Sequence, residues 1–177
     1  MRLFVAIELP EGVKGTITKA QDSISNDLAE TKYLTKEQMH LTLKFLGEVE
    51  EDKIQIIKEK LKQIKFQPFS FELDKIGVFP SENYIRVVWV GIKPEDKVIN
   101  LQESIENSLK EFNFKKDFKF HPHITLGRVK FVKDKKAFIE KLKSTEVEKK
   151  KIEINEFKLI KSTLTEQGPV YEILESF

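Results

Sequence analysis

The stretches MHLTLKFLGEV at residues 39–49 and HPHITLGRVK at residues 121–130 decide how this sequence is interpreted. Each contains the pattern His-apolar-Thr-apolar, which we call a tetrad: His40-Leu41-Thr42-Leu43 in the first stretch and His123-Ile124-Thr125-Leu126 in the second. The chain has only three histidines, and two of them open this pattern at positions 83 residues apart. The repetition raises the question of whether the whole chain is duplicated.

The elements around the two tetrads are predicted to follow one order, written twice. The spacing of apolar residues predicts a strand at 2–9 ended by Pro10, a helix at 11–29 and the tetrad strand at 39–46. A second helix at 50–64 and an alternating strand at 69–79 follow. The order restarts with a strand at 84–92, Pro94, a helix at 95–112 and the second tetrad strand at 123–129. A short helix at 137–142 and a strand at 151–162 follow. A last strand is predicted over 170–177.

A duplicated order of strands and helices predicts two related lobes. We therefore expect an α+β fold of two pseudo-symmetric lobes, each a mainly antiparallel sheet flanked by helices, with a central groove. No Gly/Ser/Pro-rich linker separates the halves, so residues 1–177 should form one bilobal domain with an internal repeat over approximately 1–80 and 84–177.

Composition narrows the class of protein. The chain has 177 residues, 40% of them hydrophobic, which is enough for a substantial core. Its net charge of +2 does not indicate a protein that covers long nucleic acid through its overall charge, so any basic site must be local. The absence of cysteine excludes disulfides and thiolate metal sites. With no signal peptide and no run long enough to cross a membrane, we expect a cytoplasmic protein without membrane partners, and a monomer.

The tetrads are suited to phosphoryl chemistry. Because strand side chains alternate, His40 and Thr42 share one face while the two leucines of that tetrad point to the core, and the second tetrad repeats this arrangement. If the lobes face each other, two imidazoles and two hydroxyls line one groove. Imidazoles can take and give protons near neutrality, and hydroxyls can donate to phosphoryl oxygens. One such tetrad alone would be an ordinary exposed strand; two in phase indicate function.

The sequence resembles a known family at these residues. The tetrads, the opening RLFVAIELP, FPSENYIRVVWVGI at 79–92 and LIKSTLTEQGPVYEIL at 159–174 are similar to the 2H phosphoesterases, and among them to the RNA 2′,3′-cyclic phosphodiesterases, also called 2′-5′ RNA ligases. The resemblance covers essentially the full chain. It implies hydrolysis of a 2′,3′-cyclic phosphate, on RNA termini such as those of tRNA or on nucleosides, to a 2′-phosphomonoester without metal or cofactor, with reversible ATP-independent 2′-5′ ligation as a side activity.

The resemblance also implies roles for individual residues. His40 would be the proton donor to the departing 3′-oxygen and His123 the proton acceptor from water, while Thr42 and Thr125 would contact the phosphate. The repeat by itself makes the two histidines look alike, so the residues alone leave these two roles open.

Arg128 and Lys44 are further candidates for phosphate binding. Arg128 lies five positions after His123, where the resemblance implies a phosphate-binding arginine. Strict alternation would place Arg128 on the opposite face, but a bulge at Gly127 would redirect it. Lys44 follows the alternation of Thr42 and should line the groove, unless it is a solvated strand-end lysine.

Other candidates have structural alternatives. Tyr171 is a candidate contact for phosphate or base, or an ordinary strand aromatic; Phe4 is a candidate for base stacking or core packing. Tyr33 is a candidate for the aromatic that the family often has before the first tetrad. The interval 130–151 has nine lysines against four acids and is either an RNA-steering patch or a solvated face.

Two rival functions remain at this point. One is a non-catalytic module that binds a nucleotide or phosphate in the same groove. The other is a metal-dependent hydrolase that uses His121 and His123, although the set of ligands is small. Turnover of a cyclic phosphate separates the first rival from the main hypothesis, and chelation separates the second.

Overall fold

The computed structural model describes residues 1–116 and 119–177 and confirms the α+β class. Its strands are β1 (Arg2–Glu8), β2 (Ala29–Tyr33), β3 (His40–Glu48), β4 (Phe69–Ser81), β5 (Tyr84–Lys93), β6 (His123–Val132), β7 (Lys151–Ile154), β8 (Lys158–Thr165) and β9 (Gly168–Ser176). Its α-helices are α1 (Glu11–Ile24), α2 (Glu51–Lys62), α3 (Asp96–Ser108) and α4 (Lys135–Ser144). Two short 3₁₀ helices cover Lys36–Gln38 and Lys110–Phe112.

The strands form one antiparallel sheet made of two lobes that meet at a narrow seam. The order is β7-β4-β5-β6-β3-β1-β8-β9, with β2 added to β6. The first lobe consists of β3, β1, β8 and β9, and the second of β7, β4, β5 and β6 together with β2. At the seam, Leu41 of β3 pairs with Ile124 of β6, so the two tetrad strands lie side by side.

The lobes exchange strands between the two halves of the sequence. In the first lobe, β8 and β9 come from the end of the chain, and β8 pairs with β1 near the beginning. In the second lobe, β4 and β2 come from the first half and pair with β5 and β6. A lobe is therefore not identical with a half of the sequence, and the repeat boundaries 1–80 and 84–177 stay a prediction.

Three sequence predictions of elements were wrong. The first helix ends at Ile24, not at residue 29, because Ser25 adopts a left-handed φ of 54° and Asn26 bonds the backbone of Thr31. The strand β2 was missed because its sequence, AETKY, is short and has only two apolar residues, although its burial alternates. The segment 151–162 is two strands that lie at different ends of the sheet, and the chain leaves β7 after Ile154 to reach the first lobe as β8.

The helices pack their apolar faces on the sheet and form one large core. On α1 the buried residues include Val13, Ile17 and Ile24, at the spacing that one helical face requires. The alternate residues Leu41 and Ile124 of the tetrad strands are both fully buried in that core. Because Leu41 and Ile124 point inward, the tetrad histidines and threonines are turned to the opposite side. In the described part of the chain, no helix is long and apolar enough to cross a membrane.

Candidate active site

One groove of about 500 Å³ is lined by all four polar tetrad side chains. The Leu41–Ile124 pair explains this convergence, because the residues that flank an antiparallel pair also lie opposite each other. His40 is thus across from Thr125, and Thr42 is across from His123, on the solvent side of the seam. The geometry places the residues of the two sequence-predicted tetrads around a single cavity.

A β-bulge in each tetrad strand determines which side chains follow the threonine into the groove. Between β5 and β6, Trp89 pairs with Thr125 and Val88 with Gly127, so Leu126 is the extra residue. The bulge keeps both Leu126 and Gly127 buried and turns Arg128 toward the groove, which it lines. The Arg128 side chain therefore lies where it can bind a phosphate held in the groove.

The same bulge in β3 corrects the expectation for Lys44. Ala6 pairs with Thr42 and Val5 with Lys44, so Leu43 is the extra residue and alternation is broken. Lys44 is buried, and its Nζ lies 2.6 Å from the Glu106 carboxylate on α3. Lys44 is absent from the residues that line the groove and borders a neighbouring cavity.

Phe45 takes the position in the first lobe that Arg128 takes in the second. It lies five residues after His40, lines the groove, and is 64% exposed, which is unusual for a phenylalanine. An exposed aromatic ring at the edge of a phosphate site is suited to stacking on a base or a ribose. The sequence reasoning missed Phe45, although the equal offset of five residues in the two halves was a signal that could have found it.

Each tetrad histidine is oriented by the backbone two residues before it. The carbonyl oxygen of His121 lies 2.6 Å from Nδ1 of His123. Since a carbonyl only accepts, Nδ1 carries the proton, and Nε2 is the basic nitrogen of the neutral ring. His40 likewise has a hydrogen bond with the backbone of Gln38. The backbone thus fixes the orientation of both rings, and in His123 it assigns proton transfer to Nε2.

Aromatic rings surround both imidazoles. The ring of His40 lies 4.8 Å from Phe4 and 5.2 Å from Tyr171, and the ring of His123 lies 4.9 Å from Phe79. Burial lowers the pKa of His40 to about 4, and the nearby charge of His123 acts in the same direction. His40 is consequently uncharged at neutral pH in the free protein.

Two arginines supply positive charge to the groove. Arg128 and Arg2 both line it, and both act to lower the pKa of Tyr171, although burial of the phenol has the larger effect and raises it. Arg2 was not singled out from the sequence because an arginine at the first residue of a strand has no distinctive pattern. Together, Arg2, Arg128 and the two threonines form a site with the character of an anion receptor.

Gln21 supports the bulge that directs Arg128. Its buried amide Nε2, on α1, donates to the carbonyl oxygens of Leu126 at 2.9 Å and Leu34 at 3.0 Å. The same Leu126 oxygen also accepts from the backbone N–H of Leu34 at 2.9 Å. The extra residue of the bulge is thus held from two sides. Gln21 was also missed in the sequence, where it reads as a polar residue of an amphipathic helix.

Several secondary candidates have a structural position outside the groove or beneath it. Phe4 is 3% exposed and packs against His40, and its side chain also forms part of the groove lining. Tyr33 donates its hydroxyl to the Ser25 carbonyl at 2.7 Å and does not line the groove. None of the lysines in the interval 130–151, all of it described, lines the groove. In residues 1–116 and 119–177 there is no cluster of three or more metal-ligating side chains.

Comparisons with a family model, with a relative and with solved structures agree with one another. A family model for "LigT like Phosphoesterase" matches the chain twice, at residues 7–89 and 90–171. The chain is 39% identical over 178 residues to an RNA 2′,3′-cyclic phosphodiesterase from Methanocaldococcus jannaschii, with all of both proteins covered. A crystal structure from Thermus thermophilus is similar with a TM-score of 0.79 and 30% identity, covering 100% of this chain and 97% of that one. Escherichia coli LigT complexed with 3′-AMP is similar with a TM-score of 0.79 and 26% identity, covering 99% and 96%.

Proposed function

We propose that this chain, which belongs to the LigT-like phosphoesterase family of the 2H phosphoesterase superfamily, is an RNA 2′,3′-cyclic phosphodiesterase that opens the terminal cyclic phosphate by metal-independent catalysis with two histidines. The observation that carries the proposal is the convergence of both tetrads on one groove, with each imidazole hydrogen-bonded to the backbone. Arg128 and the threonines Thr42 and Thr125 would hold the non-bridging oxygens.

The reaction follows from this arrangement. Nε2 of His123 accepts a proton from a water molecule, whose oxygen attacks the phosphorus atom. The bond from phosphorus to the 3′-oxygen breaks, and His40 donates a proton to that oxygen. The product is a 2′-phosphomonoester beside a free 3′-hydroxyl. His40, uncharged in the free protein, would take up its proton together with the anionic substrate, whose charge favours the imidazolium form.

Ligation would use the same groove and the same two histidines. A 5′-hydroxyl would replace water as the nucleophile, and opening of the cyclic phosphate would give a 2′-5′ linkage without ATP. Water is in large excess over any 5′-hydroxyl, so we expect hydrolysis to dominate. A cytoplasmic monomer that acts on RNA termini, among them those of tRNA, also stays a prediction.

Product analysis tests the proposal. An oligonucleotide that ends in a 2′,3′-cyclic phosphate should be converted to a 2′-phosphate and not to a 3′-phosphate. His40→Ala and His123→Ala should each abolish turnover, since each removes one of the two proton transfers, worth about 10²–10⁴-fold apiece. Unfolding curves of both variants serve as the control for folding. Full turnover by either variant would contradict the mechanism, and tight binding of the cyclic phosphate without any turnover by wild type would indicate a binding module.

A further inference from the structure

A second cavity adjoins the groove and shares a wall with it. This side cavity has a volume of about 410 Å³, and the wall common to both consists of Thr42, Phe45, Phe79 and His123. Its other residues come from the segment that precedes the second tetrad and from the adjoining faces of β3 and α3: Leu43, Lys44, Glu106, Lys115, Lys116, Lys119, Phe120 and His121. A molecule whose phosphate lies between the tetrads can extend across that wall.

The described residues that line the side cavity carry an excess of positive charge. Glu106 is the one acid among its described lining residues, and its carboxylate is already paired with Lys44. Lys115, Lys116 and Lys119 have no ion pair with any residue of 1–116 or 119–177. Three cations around a small cavity attract an anionic group, because their mutual repulsion is relieved when that group binds.

The chemistry of the wall narrows the class of ligand. Phe45 separates the two cavities and is largely exposed, and Phe120 forms an apolar part of the lining. Aromatic rings beside lysines fit a ligand that alternates a planar or sugar group with a phosphate, as a polynucleotide strand does. The cyclic phosphate is at one end of its nucleotide, and the next anionic group along the strand is the phosphate on the 5′ side of the same nucleoside.

We propose that the side cavity binds this 5′ phosphate, so that the protein prefers an end that belongs to a strand, or carries a 5′ phosphate, over a bare nucleoside 2′,3′-cyclic phosphate. The inference rests on the proposed function, because it assumes that the cyclic phosphate occupies the groove between the tetrads. Lys115, Lys116 and Lys119 supply the charge, and Phe45 lies between the two phosphates.

The experiment compares two substrates that differ in one group. The first is a nucleoside 2′,3′-cyclic phosphate with a free 5′-hydroxyl, and the second is the same compound with a 5′ phosphate. The measured quantity is the ratio of kcat/KM for the second to that for the first, at low ionic strength. Because both values come from one preparation, the ratio is independent of the fraction of protein that is active.

We expect a ratio of about tenfold or more for wild type, the effect of one charge-assisted phosphate contact. The triple variant Lys115→Gln/Lys116→Gln/Lys119→Gln should bring the ratio close to one. The double variant Lys135→Gln/Lys136→Gln on α4 removes exposed lysines that line neither cavity, and should keep the wild-type ratio.

The outcomes distinguish this inference from the proposed function. A wild-type ratio near one, with both substrates hydrolysed, would overturn the subsite and leave the phosphodiesterase proposal intact. The subsite is equally overturned by a ratio that survives in the triple variant. Failure of wild type to hydrolyse either substrate would instead contradict the proposed function on which the inference rests.

Discussion

His40 should titrate far below an ordinary histidine in the free protein and close to neutrality when the groove holds a phosphate anion. Burial lowers its pKa from the ordinary 6.5 to about 4. A pKa that is lower in the folded state means that folding favours the neutral ring. The corresponding stability is fully present above pH 6.5 and is lost as the pH falls toward 4. Its size is at most about 3 kcal/mol, from 1.36 kcal/mol for each pKa unit.

The substrate should reverse this shift. One negative charge about 4 Å from the imidazole contributes roughly 4 kcal/mol at an effective dielectric constant of about 20, which corresponds to about three pKa units. The pKa of His40 in the complex is then expected near 7. At that value the ring can be protonated at neutral pH and still release its proton to the 3′-oxygen. The alkaline limb of the kcat profile should accordingly fall above pH 7.

Two measurements check the titration. The ring protons of His40 can be followed by NMR from pH 3.5 to 8, with the His40→Gln variant to identify the resonance, in the free protein and with a bound 2′-phosphomonoester. Thermal unfolding of wild type and His40→Gln at pH 7 and pH 4 measures the stability. Between these pH values wild type should lose up to about 10 °C more than the variant.

Two results would refute the reasoning. A free-protein pKa of His40 near 6.5 would show that the imidazole is solvated and that burial is not the controlling factor. A pKa that stays near 4 with the phosphomonoester bound would show that the anion does not approach this ring, and His40 would then be unable to act as the proton donor.

Three further predictions concern the support of the site and the role of metals. Gln21→Leu should lower the free energy of unfolding by about 1–3 kcal/mol, because the Leu126 carbonyl loses a buried donor and the Leu34 carbonyl a part-buried one, and should reduce kcat/KM through the Leu126 bulge; urea titration and steady-state kinetics measure both. Gly77→Ala places a Cβ atom against the indole of Trp89 and should destabilise by roughly 1–3 kcal/mol with a changed fluorescence of this single tryptophan. Gly15→Ala in α1, where the added Cβ atom meets nothing within 4 Å, is the matched control and should raise stability by up to about 1 kcal/mol. Hydrolysis should persist in excess EDTA, and its loss on chelation would favour the metal-dependent alternative.

The fold class was predictable because its signals are local. Runs such as RLFVAIEL and the helical spacing in α1 and α3 depend on residues near each other in the sequence, and they identified most strands and helices. The strand β2 could not be found in this way, because AETKY is held as a strand by its pairing with β6. The division between β7 and β8 likewise depends on which distant strand each of them pairs with.

For the candidate site, the alternation of side chains explains both what was predicted and what was missed. Alternation holds through the tetrads, so it correctly turned Leu41 and Ile124 to the core and the polar residues to the other face. It fails at the bulges, where one extra residue moves Lys44 to the buried face and brings Phe45 and Arg128 to the groove. For Arg128 the resemblance and the neighbouring glycine were sufficient signals. For Lys44 no residue in the sequence announces the bulge.

The exchange of strands has a consequence for any attempt to divide this molecule. A cut in the β4–β5 hairpin would leave an N-terminal fragment whose β4 and β2 have no pairing strands, and a C-terminal fragment whose β8 and β9 have lost β1. Neither piece retains a complete sheet, so each should be unfolded alone and acquire structure only when the other is present. Mixing the two fragments should restore the groove, because each fragment supplies the strands with which the other pairs. Heating the intact chain should unfold both lobes in one transition.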